Sequence, residues 1–335
     1  MKNNKVLIIA EVGINHNGNL KTALKLIEKA KKAGADIVKF QTFNSSKIAS
    51  DKAELVDYQK DNIHKKNQKE MLQALELSDN DIEQIIFKCN DVGIEYLTTA
   101  FDDESLSKIS KQSLKRYKIP SGEITNLPYL RKIASFGKPI IMSTGMSDLK
   151  EVLWALDKLI EGGSSKENIT ILHCTSEYPC PLESVNLRAM KTLYNNFKTD
   201  IGYSDHTLGI EVAIAAVGMG AKIIEKHITL DKNMIGPDHK ASIEPYEFKK
   251  MVESIRIIEK SLGDGVKQPS EKELTIRKNV RKFILAAKEI KKGEMFSETN
   301  ITTKRTNGGV SAMYWDNYIG KKATNNYLKD EEIKE

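Results

Sequence analysis

The chain has 335 residues, 40% hydrophobic and 29% charged, enough to bury a large core and to form one big domain plus a small one. Its 52 basic and 46 acidic side chains leave a net charge of +6, spread along the chain rather than gathered in a tail. That argues against a nucleic-acid partner and suits an anionic small substrate.

Cys89, Cys174 and Cys180 form an odd set without a C-x-x-C pair, which argues for reduced thiols in a cytoplasmic protein and against a disulfide framework or zinc ribbon. The first apolar run is short and broken by Glu11, and no run of about 18 apolar residues occurs, so neither secretion nor a membrane partner is expected.

In chain order, β-rich runs recur at 6–10, 37–40, 96–99, 116–119, 139–142, 169–173, 200–203 and 222–225. Most are separated by segments of helical period, such as Leu20, Ala23, Leu24, Ile27, Ala30 and, after the last run, Met251, Ile255, Ile258, Leu262. Strand and helix alternating in this way predict a parallel (β/α)8 TIM barrel over 1–265. The gap between 41 and 96 is longer than one helix needs, and its polar part, 44–68, is expected as a long rim loop with irregular helix before a helix near 79–90. After Leu262, the turn-rich Gly263-Asp-Gly-Val-Lys-Gln-Pro-Ser270 and the charged residues that follow read as a linker over 266–281. From Phe283 the pattern is short strands and tight turns, so 282–335 is expected as a small β-rich domain.

Active sites of such barrels lie at the C-terminal strand ends, and here the runs end in polar residues. They are Glu11, Lys39 with Gln41, Thr98-Thr99, Lys118-Ile-Pro-Ser121-Gly-Glu123, Ser143-Thr-Gly145, His173-Cys-Thr-Ser176-Glu-Tyr178, Ser204-Asp-His206 and Glu225-Lys-His227. Strand alternation puts Lys39 and Gln41, Ser204 and His206, and Glu225 and His227 on shared faces. Lysines with Ser and Thr hydroxyls and glycine-flanked amides make a cradle for phosphate and carboxylate.

His206 and His227 are 21 residues apart, a spacing that suits a strand–helix–strand crossover and brings both imidazoles to one sheet edge. Two imidazoles with open positions suit a catalytic divalent metal that polarises a substrate carbonyl, whereas structural zinc wants four protein ligands. Of the other histidines, His16 either bonds within its loop or meets substrate, His173 is a candidate strand-end orienter, and His64 and His239 fall in polar loops.

Several ordered segments carry a resemblance along nearly the whole chain. They are Ala10-Glu-Val-Gly-Ile-Asn-His-Asn-Gly18, Val38-Lys-Phe-Gln-Thr42, Tyr117-Lys-Ile-Pro-Ser-Gly-Glu123, Ile141-Met-Ser-Thr-Gly-Met146, His173-Cys-Thr-Ser-Glu-Tyr-Pro179, Ser204-Asp-His-Thr207, Glu225-Lys-His227 and Gly236-Pro-Asp238. The chain resembles the N-acetylneuraminate (sialic acid) synthase family, a phosphoenolpyruvate-dependent barrel followed by an antifreeze-like (SAF, β-clip) domain. The resemblance implies condensation of phosphoenolpyruvate with the open-chain aldehyde of N-acetylmannosamine and water, giving N-acetylneuraminate and phosphate. It implies Lys39, Thr99, Lys118, Ser121, Ser143 and Ser204 as phosphoenolpyruvate ligands. His206 and His227 are implied as ligands of Mn2+, with Mg2+ or Co2+ as alternatives. Glu11, Gln41, Tyr178 and Asp238 would face the sugar, with Glu11 among the catalytic residues and Glu123 beside the metal and the attacking water. Arg305, in Thr303-Lys-Arg-Thr-Asn-Gly-Gly309, would reach the sugar's acyl group from the partner protomer of a domain-swapped homodimer.

Three rival readings stand beside this one. The first is a legionaminic acid synthase using 2,4-diacetamido-2,4,6-trideoxymannose. The second is a metal-dependent barrel aldolase or isomerase without phosphoenolpyruvate, and the third a noncatalytic carbohydrate binder.

Overall fold

In the computed structural model, which describes residues 5–48 and 67–334, each of the eight apolar runs is a strand. They are β1 (Leu7–Gly13), β2 (Ile37–Thr42), β3 (Glu95–Ala100), β4 (Tyr117–Ile119), β5 (Ile140–Ser143), β6 (Ile169–Cys174), β7 (Asp200–Asp205) and β8 (Ile223–His227). Parallel ladders join them in the order β3-β2-β1-β8-β7-β6-β5-β4, and β3 and β4 lie side by side, so the ring is nearly closed. His64 and most of the rim segment expected over 44–68 fall outside the described residues; within it, Ser45–Ile48 is a helical turn.

Period-two alternation builds the barrel interior and the site together. Ile9, Ile37, Leu97, Ile141, Leu172 and Ile223 pack into one inner apolar cluster, while Ile8, Ala10, Val38, Met142, Ile171 and Ile224 pack outward in the cluster shared with the helices. Two residues further along each strand the inward position is polar or sulfur-bearing: Glu11, Lys39, Thr99, Ser143, Cys174 and Glu225. An apolar plug therefore underlies a ring of polar and sulfur-bearing side chains. Gly202 completes the plug by close approach, because a Cβ there would meet Leu172 Cδ2 at 2.5 Å and the Ile223 carbonyl at 2.6 Å.

The helices form for equally local reasons. In Leu20–Lys32 the buried residues Ala23, Leu26, Ile27 and Ala30 make one stripe, Asn19 caps the start by accepting from the Thr22 amide, and lysines fill the last turn. Helix Leu149–Glu161 begins with a capping box between Asp148 and Glu151. No helix among the described residues is long and apolar enough to cross a membrane. The three cysteines are free thiols, all buried.

The chain divides into compact units at Gly263 and Asp264. In the second unit β9 (Lys282–Ala286) and β10 (Ile301–Arg305) pair antiparallel, Ile301 opposite Ala286 and Arg305 opposite Lys282. Ile284, Ala286, Ile290, Phe296, Ile301, Tyr327 and Ile333 form its core. Ten residues of the stretch expected as linker, Glu271–Val280, are instead helical, started by a capping box between Ser270 and Glu273. That helix buries none of its residues, and Leu274, Ile276 and Val280 are exposed.

Candidate active site

The barrel mouth holds a cavity of about 590 Å³ lined by Glu11, Lys39, Gln41, Thr99, Lys118, Ser121, Ser143, Ser176, Tyr178, Ser204, His206, Glu225 and His227, with Cys174, Phe101, Met146 and Gln68 among the rest. The six residues expected to hold phosphoenolpyruvate thus share one cavity, although they come from β2, β3, β4, β5, β7 and the turn after β4.

Burial makes the charges here interdependent. Lys39 Nζ lies 2.5 Å from Glu11 Oε2 and 3.7 Å from Glu225 Oε2, and Lys118 Nζ lies 3.6 Å from Glu225 Oε1. Lys118 also donates to Ser143 Oγ at 2.6 Å, and Ser204 Oγ donates to Glu225 Oε1 at 3.0 Å. Burial alone would lower both ammonium groups; Glu11 and Glu225 reverse this for Lys39, whereas Lys118 stays below the usual lysine range. Burial raises Glu11 to about 7 against the pull of Lys39. Burial would raise Glu225 too, but the two lysines and Ser204 hold it below the ordinary carboxylate range. An incoming anion would find two buried ammonium groups already oriented, each able to exchange a carboxylate for it.

Ser121 accepts from the Gly145 amide at 3.0 Å. A side chain on Gly145 would meet Ser176 Oγ at 2.2 Å, so glycine keeps this strand-end turn open.

The two histidines converge, with ring centroids 5.5 Å apart and the Tyr178 ring 4.1 Å from that of His206. His206 Nδ1 is 2.7 Å from the Thr175 carbonyl, a contact that places a proton on Nδ1 and turns Nε2 away from that carbonyl. His227 Nδ1 is buried with no hydrogen-bond partner among the described residues, and Asp238 Oδ2 lies 3.9 Å away. Burial, with His206 and Lys39 nearby, keeps His227 neutral, and burial raises Asp238 to about 6. Burial would lower His206 as well, but Cys174 and the Thr175 carbonyl raise it, so His206 gives up a proton on taking a metal while His227 is already neutral. Two converging imidazoles fit a divalent ion that takes its other ligands from substrate or water. Among the described residues no group of three or more His, Cys, Asp or Glu side chains is arranged to hold one.

The pair is braced from behind. Asp205 and Lys226, on the opposite faces of the same two strands, form a fully buried ion pair at 2.7 Å. Lys226 also donates to the Thr207 carbonyl at 2.6 Å, and Asp205 Oδ1 accepts from the Thr207 amide and hydroxyl.

Some expected residues are placed elsewhere. Glu123 faces an adjoining depression with Phe101, Asp102 and Tyr129, its carboxylate accepting from Asn126 at 2.6 Å, because the 3-10 turn Ser121–Glu123 rotates it away from the side that Ser121 presents. Asp238 meets the site through His227 rather than the cavity wall. Arg305 is exposed at the end of β10 in the second unit. His16 stacks on Phe40 and accepts from the Gly18 amide, so it is a loop residue. His239 is held by Thr229 and Asn17 in the same way. His173 Nε2 lies 2.7 Å from the Val185 carbonyl. Glu225 and Cys174 had no assigned role in the sequence reading; the signal for each was its place two residues from His227 and from inward Leu172.

Comparisons with known proteins fit this geometry. The sequence profile of the NeuB family matches residues 26–267, and that of the SAF domain matches 281–334. The chain is 52% identical over 332 residues to the N,N'-diacetyllegionaminic acid synthase of Campylobacter jejuni, covering 99% of each. It is 47% identical to the Legionella pneumophila protein of the same name, over 95% of this chain and 90% of that one. Among solved structures, the N-acetylneuraminic acid (sialic acid) synthetase of Leptospira borgpetersenii, crystallised with citrate, is similar with a TM-score of 0.74 at 31% identity, covering 84% of this chain and 96% of that one. On both profiles and on relatives matched over almost their full length, the chain belongs to the NeuB family and carries an SAF domain.

Proposed function

We propose that the enzyme condenses phosphoenolpyruvate with the open-chain aldehyde of 2,4-diacetamido-2,4,6-trideoxymannose and water, giving a nine-carbon 2-keto acid and phosphate. The observation that carries it is the convergence of Lys39, Lys118, Ser143 and Ser204 with His206 and His227 in one cavity. N-acetylmannosamine, the first choice from sequence, would use the same anion cradle. The two relatives at 52% and 47% identity, both named as N,N'-diacetyllegionaminic acid synthases, favour the diacetamido sugar instead.

Lys39 and Lys118, with Thr99, Ser121, Ser143 and Ser204, would hold the phosphate and carboxylate and present C3 of the enol to the aldehyde carbon. His206 and His227 would hold a divalent metal, Mn2+ foremost, which when bound supplies Lewis acidity to the aldehyde oxygen. Glu11, Gln41 and Tyr178 would orient the sugar. Water adds to C2, and the C2–O bond to phosphate then breaks. Glu11, the cavity carboxylate raised to about 7, is our candidate to hold that water, since Glu123 faces the adjoining depression. Arg305 would come from the partner of a domain-swapped homodimer to the sugar's acyl group; a helix that buries none of its residues supports a partner's covering it.

Phosphate release with each sugar tests the reading. The diacetamido sugar should exceed N-acetylmannosamine in kcat/KM by about tenfold or more; the reverse order would return the assignment to N-acetylmannosamine. Turnover of a sugar without phosphoenolpyruvate would establish the aldolase or isomerase reading, and binding without turnover under any divalent ion the carbohydrate binder.

A further inference from the structure

Asn15 is buried, lies outside the cavity wall, and spends both of its amide hydrogens on the other side of the β1–β8 seam. Its Nδ2 donates to the Ile228 carbonyl at 2.9 Å and to Ser242 Oγ at 2.8 Å. Ser242 Oγ in turn donates to the Asp238 carbonyl at 2.7 Å. One side chain therefore ties the residue after His227 to the turn that carries Asp238. The Ile243 amide bonds the His227 carbonyl at 3.0 Å and the Ile228 amide bonds the Glu11 carbonyl at 2.9 Å, so the same seam fixes the His227 backbone. Asn15 Oδ1 is buried with no partner among the described residues. A buried amide that leaves its acceptor unused is held for its two donors, a pattern that Asp, with acceptors only, reverses.

We infer that Asn15 and Ser242 are positioning residues that set the separation of Asp238 from His227, and through it the grip of the two-histidine site on its metal and on the sugar. The inference rests on the function proposed above. Asp238 Oδ2 and His227 Nδ1 are 3.9 Å apart, and the 238–242 turn has few other anchors: the Ala241 and Ser242 amides bond within it, and His239 reaches Thr229 and Asn17. A carboxylate that pairs with the non-ligating nitrogen of a metal-bound imidazole orients the ring, and losing such support lowers metal affinity by about 10- to 100-fold; Asp238, 3.9 Å from His227 Nδ1, stands on that side of the ring.

The test uses the full chain, Ser242→Ala, Asn15→Asp and Asp238→Ala. Mn2+ affinity is read without substrates by electron paramagnetic resonance, and KM is read separately for sugar and phosphoenolpyruvate. Ser242→Ala should weaken Mn2+ binding about tenfold and raise the sugar KM while the phosphoenolpyruvate KM and circular dichroism stay unchanged. Adding it to Asp238→Ala should cost nothing further, because it acts through that carboxylate. Native Mn2+ affinity and sugar KM in both Ser242→Ala and Asn15→Asp, or losses that multiply with Asp238→Ala, overturn the inference. A native chain that binds Mn2+ but does not consume phosphoenolpyruvate overturns the proposed function, while the Mn2+ measurement still decides the role of Asn15. Absence of Mn2+ binding by the native chain overturns both.

Discussion

Replacing Lys226 with Met should destabilise the barrel severely although it alters no side chain that lines the cavity. Both members of the Lys226–Asp205 pair have no solvent-exposed side-chain surface, and Lys226 Nζ serves two acceptors, Asp205 Oδ2 at 2.7 Å and the Thr207 carbonyl at 2.6 Å. Removing the ammonium strands a carboxylate and a carbonyl in the interior, at a cost of about 3–5 kcal/mol. Asp205→Asn in the same chain removes the uncompensated charge while its Oδ1 can still serve Thr207, so the double variant should recover most of the loss. The chain has 2 tryptophans, Trp154 in the first unit and Trp315 in the second, so a Trp315→Phe background leaves Trp154 reporting on the barrel. Urea unfolding followed by that fluorescence gives the difference from the shift in midpoint at constant slope. A loss below about 1 kcal/mol for Lys226→Met, or a double variant no better than the single, would refute the reasoning.

Three more expectations follow from named groups. Burial lowers His16 and His239 from the ordinary imidazole value of 6.5 to about 4. The unfolded chain therefore takes up these protons first as pH falls, so their contribution is complete above pH 6.5 and is lost between pH 6.5 and 4, on the order of 3 kcal/mol each at most. Urea midpoints should drop from pH 7 to pH 5, less steeply in His239→Gln; a higher midpoint at pH 5 would contradict this. Lys118→Met should raise the phosphoenolpyruvate KM about 10- to 100-fold with little change in the sugar KM, and equal effects on both would remove Lys118 from the anion site. Arg305→Ala should raise the sugar KM and not that of phosphoenolpyruvate; an unchanged sugar KM would dismiss the partner's arginine.

The inward-facing site residues were legible because strands keep a strict period of two: once Ile9, Ile37 and Ile223 face the plug, Glu11, Lys39 and Glu225 must face the mouth. What Glu225 does was not legible. Its contact with Ser204 comes from the β7–β8 ladder, but those with both lysines arise from ring closure, which brings β8 within reach of residues more than 100 positions away in sequence, such as Lys118. Period two also stops at the strand end, which is why Glu123 could not be told from Ser121 until the 3-10 turn was seen. Asn15 carried no assignment from sequence because its partners lie across the barrel seam. Helix Glu271–Val280 was hidden by its charge, although Ser270 and Glu273 carried the capping-box signal.

The central claim is that a lysine-held phosphoenolpyruvate gives up phosphate by cleavage between carbon and oxygen after joining an amino-sugar aldehyde. Phosphoenolpyruvate labelled with 18O at its bridging oxygen, incubated with the diacetamido sugar and Mn2+, tests it directly by mass spectrometry of both products. The label should leave entirely in phosphate, with the nine-carbon acid unlabelled. Label in the acid, or phosphate release that does not depend on the sugar, would contradict the account.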